Sequence, residues 1–207
     1  MKYKNKFVSN KLQLGEESQS MKNKKLEVGV IGGKEKRDIQ IVEYDEQWSV
    51  KFEMHAKMLK NVLGEVALGI EHIGSTAVPK LAAKPIIDIL LIVKDSGDES
   101  KYLKEMQSTG YQLRVREPDF HEHRMFRTVQ KDVHIHVLSQ GSNEIDRYLV
   151  FRNRLRLNEV DRKEYEATKR KLASGEWDNM NDYANAKTQI VERIIAAEFA
   201  NLKKKKR

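Results

Sequence analysis

Residues 85–93 (PIIDILLIV) constrain the fold more than any other stretch. They are apolar at both alternations, so a strand built from them must be covered on both faces. A sheet carrying such a strand needs a packed layer on each side. Asp88 is the one charged residue of the run. An ionised carboxylate there is costly unless it is paired, hydrogen-bonded or bound to a metal. Asp88 is therefore a candidate site residue by placement, with a structural pairing to backbone N–H groups or an arginine as the alternative.

The elements around it follow from periodicity. Trp48, Phe52, Met58, Leu59, Val62 and Leu63 recur at helical spacing, and Gly64 ends that helix. VALGIEHI reads as a strand, followed by a tight Gly-Ser-Thr turn and then the Asp88 strand. Residues 98–108 read as a helix stopped by Gly110, and YQLRV, HRMFRTV and VHIHVL as three short strands. After Gly141 the pattern is helical. Its stripes are Ile145, Leu149, Arg152 and Leu155, then Tyr165, Thr168 and Leu172, then Tyr183, Lys187, Ile190 and Ile194. The sum is an α+β fold with a mixed β-sheet and a C-terminal helical cap.

The net charge of +8 is unevenly spread. The excess sits in a polar, Lys/Asn/Ser-rich lead (residues 1–36) and in the terminal KKKKR (203–207), and the body between is nearly neutral. The tails read as flexible and solvated. Residues 37–202 are expected to be the folded domain, and nucleic acid is not an expected partner except weakly through the basic tails. With no cysteine in 207 residues, disulfides and thiol chemistry are excluded. The lead has no apolar core of the kind that marks a secretory signal, and no stretch approaches a membrane span. The expected location is cytoplasmic, with no membrane partner.

Several polar residues could join Asp88. Gly74 permits a sharp bend and close approach of a ligand to the backbone, and Ser75 and Thr76 bring hydroxyls. His134 and His136 alternate with Val133, Ile135 and Val137, so they share one strand face. They are either half-exposed surface residues or, with Asp88, a two-histidine, one-carboxylate metal site. His121, Glu122 and His123 fall in an expected loop and receive no role. Arg124 and Arg127 flank Phe126, and one of them could reach a phosphate or Asp88. Tyr183 and Lys187 are four apart on the expected last helix and share a face. They either hold phosphate or cover the core edge.

Together these residues resemble the GrpB family. The likeness starts at Val42, Tyr44 and Trp48 and peaks at HIGSTAVPKLAAKPIIDI (72–89). It continues through Gly110-Tyr111, the strand around 124–127, HIHV at 134–137, and Tyr183 and Lys187, spanning about residues 39 to 200. Lys80 departs from it, standing where the family usually has glycine. The resemblance implies a fold similar to nucleotidyltransferases of the polymerase β type. That superfamily uses a Gly-Ser turn for the triphosphate and two carboxylates, one residue apart, for metal ions. Gly74-Ser75 match the turn and Asp88 the first carboxylate. Leu90 stands at the second position, and His134 or His136 roughly where a third carboxylate strand would lie. Fusion of some family members to dephospho-CoA kinase hints at nucleotide or coenzyme metabolism.

The implied function is metal-assisted nucleotidyl transfer from a nucleoside triphosphate to an acceptor the sequence does not name. Asp88 and Ser75 are its expected catalytic residues. Gly74, Ser75, Thr76, Lys84, Arg127, Tyr183 and Lys187 are expected to hold nucleotide or phosphate. Asp88, His134 and His136 would bind a divalent metal, with Mn or Zn favoured over Mg because imidazole suits softer ions. The alternative is a nucleotide-binding or regulatory module of the same fold without transfer activity, for which Leu90 is the main reason.

Overall fold

The computed structural model describes residues 27–33, 35, 39–177 and 180–205. The elements in chain order are β1 (Gly29–Val30), α1 (Gln47–Leu63), β2 (Gly69–Ile73), β3 (Ile87–Val93), α2 (Leu103–Ser108), β4 (Gln112–Glu117), β5 (His123–Arg127) and β6 (Val133–Ser139). Four helices follow: α3 (Asn143–Leu157), α4 (Glu159–Ala173), α5 (Met180–Asn185) and α6 (Thr188–Lys205).

The strands form one sheet in the order β1-β4-β5-β6-β3-β2. Only β3 and β6 run parallel; every other pairing is antiparallel. The parallel register sets Asp88 beside His134 and Leu90 beside His136. Side chains alternate between faces, so Ile87, Ile89 and Leu91 join Val133, Ile135 and Val137 on one side. There they pack under Trp48, Leu59 and Leu63 of α1 and Met106 of α2 in the main core. On the opposite face Leu90 and Leu138 pack against Ile145 of α3. The helical cap has its own apolar centre at Leu155, Tyr165 and Ile194, which also covers Val78 and Leu81 of the β2–β3 connection. Both faces of the Asp88 strand are covered, as its composition demands.

Polar ties fasten the cap to that connection. Arg152 donates to Glu71 Oε2 (2.7 Å) and to the His72 carbonyl (2.8 Å). Arg156 donates twice to the Ala77 carbonyl, and Lys169 donates to the Ala82 carbonyl.

The structure corrects the sequence reading at both ends of the domain. The sheet reaches back to Gly29–Val30, which pairs with β4 inside the segment read as a tail. Glu35 is also engaged there, accepting from Arg127 and Lys131. A two-residue strand has too little alternation to register as a pattern. The expectation for residues 1–26 lies outside the described residues. At the other end α6 continues to Lys205, through residues assigned to the basic tail.

Lys80 adopts a left-handed backbone with φ 65° and is exposed. That conformation costs a side-chain-bearing residue about 1–2 kcal/mol, part of which glycine returns through its freer unfolded chain. Lys80→Gly should therefore raise unfolding free energy by about 1 kcal/mol in urea titration. No gain would mean that Lys80 is held by contacts its backbone does not reveal.

Candidate functional site

The turn that leaves β2 folds back onto β3. Gly74 has φ 71° and ψ −171°, a region open essentially to glycine alone. A methyl group there would overlap Asp88 Oδ2 and lie 3.0 Å from Asp88 Cβ. Glycine is thus required twice, for the backbone and for the closeness of the aspartate. Thr76 is buried and its hydroxyl is already committed. It donates to the Ile86 carbonyl (3.0 Å) and accepts from His72 Nε2 (3.1 Å). Thr76 holds the turn's shape through these two bonds.

Turn and strand open into a cleft of about 460 Å³ between the sheet and the cap. Asp88, His134 and His136 meet in its lining. Asp88 Oδ1 lies 3.5 Å from His134 Nδ1 and 3.8 Å from His136 Nε2. Burial pushes the Asp88 carboxyl up, His134, the nearer imidazole, pulls it down, and the net is a carboxyl held below the usual carboxylate range. Among the described residues no group of three or more His, Cys, Asp or Glu side chains stands ready-arranged as a metal cage. The two imidazoles are instead turned toward one carboxylate oxygen.

The cleft lining is also cationic and aromatic. Lys84 and Lys187 lie over the Tyr183 ring, at 4.9 and 4.4 Å from its centroid. Lys169 lies over Tyr165 at 4.9 Å, and Tyr165 and Ser75 both line the cleft. The Tyr183 hydroxyl is buried without a hydrogen-bond partner among the described residues. Burial first, then the Lys187 ammonium, bring Lys169 down to about 7. Burial also lowers Lys187, and the Asp88 carboxylate opposes it.

Of the residues singled out from sequence, Gly74, Ser75, Thr76, Lys84, Asp88, His134, His136, Tyr183 and Lys187 all line this cleft. Arg127 does not. Its guanidinium is held by Glu35 through two bonds of 2.9 and 2.8 Å. Arg124 is bound to Glu99 and Glu122 and does not pair with Asp88. Tyr183 and Lys187 do not share a helix: α5 ends at Asn185 in a tightened turn, Lys187 N to Ala184 O at 3.2 Å, before α6 begins. They meet by stacking across that break.

Two features went unread in the sequence. Lys169 is buried in place of Thr168, because α4 turns Asp161, Tyr165 and Lys169 inward. The i, i+4, i+8 spacing carried that signal, hidden by the two charges. His123 is a buried β5 residue, not a loop histidine. Its ring stacks on His136 at 5.2 Å, with His136 Nδ1 3.0 Å from its Nε2 and Glu117 Oε2 2.7 Å from its Nδ1.

The chain is thus an α+β protein of the class in which a mixed sheet carries a helical cap, with a Gly-Ser turn pressed onto an aspartate of the next strand. Within that class it belongs to the GrpB family, whose description, GrpB protein, matches residues 38–197. The UPF0157 protein BH1888 of Halalkalibacterium halodurans is 51% identical over 157 residues, 76% of this chain and 80% of the relative. The crystal structure of conserved protein GrpB from Enterococcus faecalis superposes with a TM-score of 0.71 at 34% identity, covering 79% of this chain and 99% of that one. A Cid1 poly(U) polymerase structure matches at a TM-score of 0.44 and 10% identity, over 70% of this chain and 49% of that one, a likeness too loose to bear on the site. Among the described residues no helix is long and apolar enough to cross a membrane.

Proposed function

We propose that the cleft binds a nucleoside triphosphate with one divalent cation and transfers its nucleotidyl group to a second substrate. The observation that carries this reading is the lining of the cleft. Asp88 and two imidazoles share it with three lysines, two tyrosines and the Gly74–Ser75 turn. The lysines would take the phosphates, and the Tyr183 hydroxyl, without a partner among the described residues, would donate to a phosphate oxygen. Ser75 would sit where the turn approaches the reacting phosphorus. Asp88, His134 and His136 have the chemistry of a one-metal donor set in which Mn or Zn is favoured over Mg. A cation held there would supply Lewis-acid polarisation of a phosphoryl oxygen. A reducing, cytoplasmic setting fits both the absence of cysteine and such a substrate.

Leu90 favours a second reading. It is fully buried where a second carboxylate would serve a two-metal site, so the cleft would bind nucleotide without transfer. Incubation with α-labelled triphosphates and Mn²⁺ or Mg²⁺ separates the two. Label transferred by the parent and lost in Asp88→Asn supports transfer, whereas binding without transfer supports the module. No binding with either cation sinks both.

Lys169→Met should weaken triphosphate binding about tenfold or more, the loss expected of a buried charge-assisted contact. Affinity of the parent should also fall as pH rises above about 7, because the anion prefers a protonated Lys169 that the free site releases there. Calorimetry across that range, in buffers of different ionisation enthalpy, reads both effects. A pH-independent affinity would remove Lys169 from the site.

A further inference from the structure

Two hydrogen bonds run along the cleft face of the sheet from Glu117 through His123 to His136, whose far nitrogen faces Asp88. Glu117 on β4 is 45% exposed at the side chain and its Oε2 lies 2.7 Å from His123 Nδ1. His123 Nε2 lies 3.0 Å from His136 Nδ1, and His136 Nε2 faces Asp88 Oδ1 at 3.8 Å. The pairings explain the alignment, since Glu117 stands opposite His123 and Met125 opposite His136 across β4–β5–β6.

Each hydrogen bond in this line permits one donor. A carboxylate can only accept, so the proton of the first bond sits on His123 Nδ1. A neutral imidazole with its proton on one nitrogen accepts at the other, so His123 Nε2 accepts from His136 Nδ1–H. The lone pair of His136 is then left on Nε2, facing the Asp88 oxygen. Two acceptors facing each other on neighbouring strands repel, and a cation is attracted to both.

We propose that Glu117 and His123 are positioning residues that fix the tautomer of His136 and so present its Nε2 lone pair to the cleft. The relay gives His136 a ligand's orientation before any ligand arrives, as the outer partners of metal-binding histidines commonly do. The lock is set from the sheet's own strands and needs nothing from the helical cap. It deepens the proposed function, because it rests on His136 acting toward a cation or a reacting proton.

The tautomer itself can be read without metal or nucleotide. Long-range ¹H–¹⁵N spectra of the full chain, taken at a pH where both rings are neutral, report which nitrogen of each histidine bears the proton. The parent should show Nδ1–H at both His123 and His136. Glu117→Ala and His123→Leu should each give His136 a substantial Nε2–H population. Both variants should bind Mn²⁺ roughly 10- to 100-fold more weakly with Asp88 intact. Glu117→Gln can still accept at His123 and should behave close to the parent, which separates the relay from a loss of folding. An Nε2–H form of His136 in the parent overturns the relay, and that measurement needs no variant. An unchanged tautomer in well-folded Glu117→Ala overturns it as well. If the tautomers shift as expected but no variant or parent binds Mn²⁺, the relay stands and the metal in the proposed function falls.

Discussion

Gly74→Ala is expected to cost roughly 3 kcal/mol or more of folding stability. Two penalties combine. The backbone at φ 71°, ψ −171° is nearly closed to any residue with a Cβ, which costs about 1–3 kcal/mol. The new methyl also overlaps Asp88 Oδ2 and lies 3.0 Å from its Cβ, and overpacking of that kind costs about 1–3 kcal/mol. A double-mutant cycle separates them. In Gly74→Ala combined with Asp88→Ala the steric part is relieved and the backbone part remains. The double variant should therefore be more stable than the sum of the single losses predicts by about 1–3 kcal/mol. Additivity within about 0.5 kcal/mol would show that the turn and the aspartate are independent. The same contact links fold to function, since any shift that admits the methyl group must move either the phosphate-side turn or the carboxylate.

Acid should weaken the protein through His72 by about 3 kcal/mol between pH 6.5 and 4. Burial lowers the His72 ring to about 4; the Asp88 carboxylate opposes this, and Arg156 and Arg152 add to it. Its neutral ring stacks on Phe52 of α1, with centroids 4.7 Å apart and 7° between planes. Its Nε2–H donates to Thr76 Oγ1. In the unfolded chain the ring takes up a proton near pH 6.5, and in the folded chain only near 4. The unfolded state therefore binds more protons in that window. The contribution is whole above pH 6.5 and is lost as pH falls, at about 1.4 kcal/mol per unit. His72→Gln keeps a donor for Thr76 and has no proton to gain. Its stability curve should be flatter than the parent's by that amount over the window. Parallel curves would show that His72 is protonated in the fold or plays no part in acid sensitivity.

The parts of the fold legible in sequence were those where composition and period agree. The apolar run around Asp88 required a doubly covered strand, and VHIHVL placed both histidines on one face through alternation alone. The Trp48–Leu63 spacing gave α1 to within a residue. What stayed hidden depends on partners far along the chain. Arg127 is taken by Glu35, 92 residues away, and no local pattern announces that. Lys169 was passed over because a lysine on an inward face contradicts the apolar rule, and only the Ala82 carbonyl and the Tyr165 ring explain its burial. His123 was read with the polar residues before it, although it is the first residue of β5. The break between Tyr183 and Lys187 carries no glycine or proline, so the periodicity ran through it unmarked.

The parallel pairing of β3 with β6 also sets the order in which this molecule can acquire a site. β2 and β3 can pair with each other under α1, and β4, β5 and β6 form a meander of short-range turns. Each group closes small loops first, and the long loop between β3 and β6 must close to join them. Asp88 belongs to one half, and His134, His136, His123 and Glu117 to the other. A chain with both halves formed but not yet docked would hold most of its native strands and none of its proposed chemistry. Joining that seam would bring Asp88 beside its histidines, and only docking of the cap over it would complete the cleft.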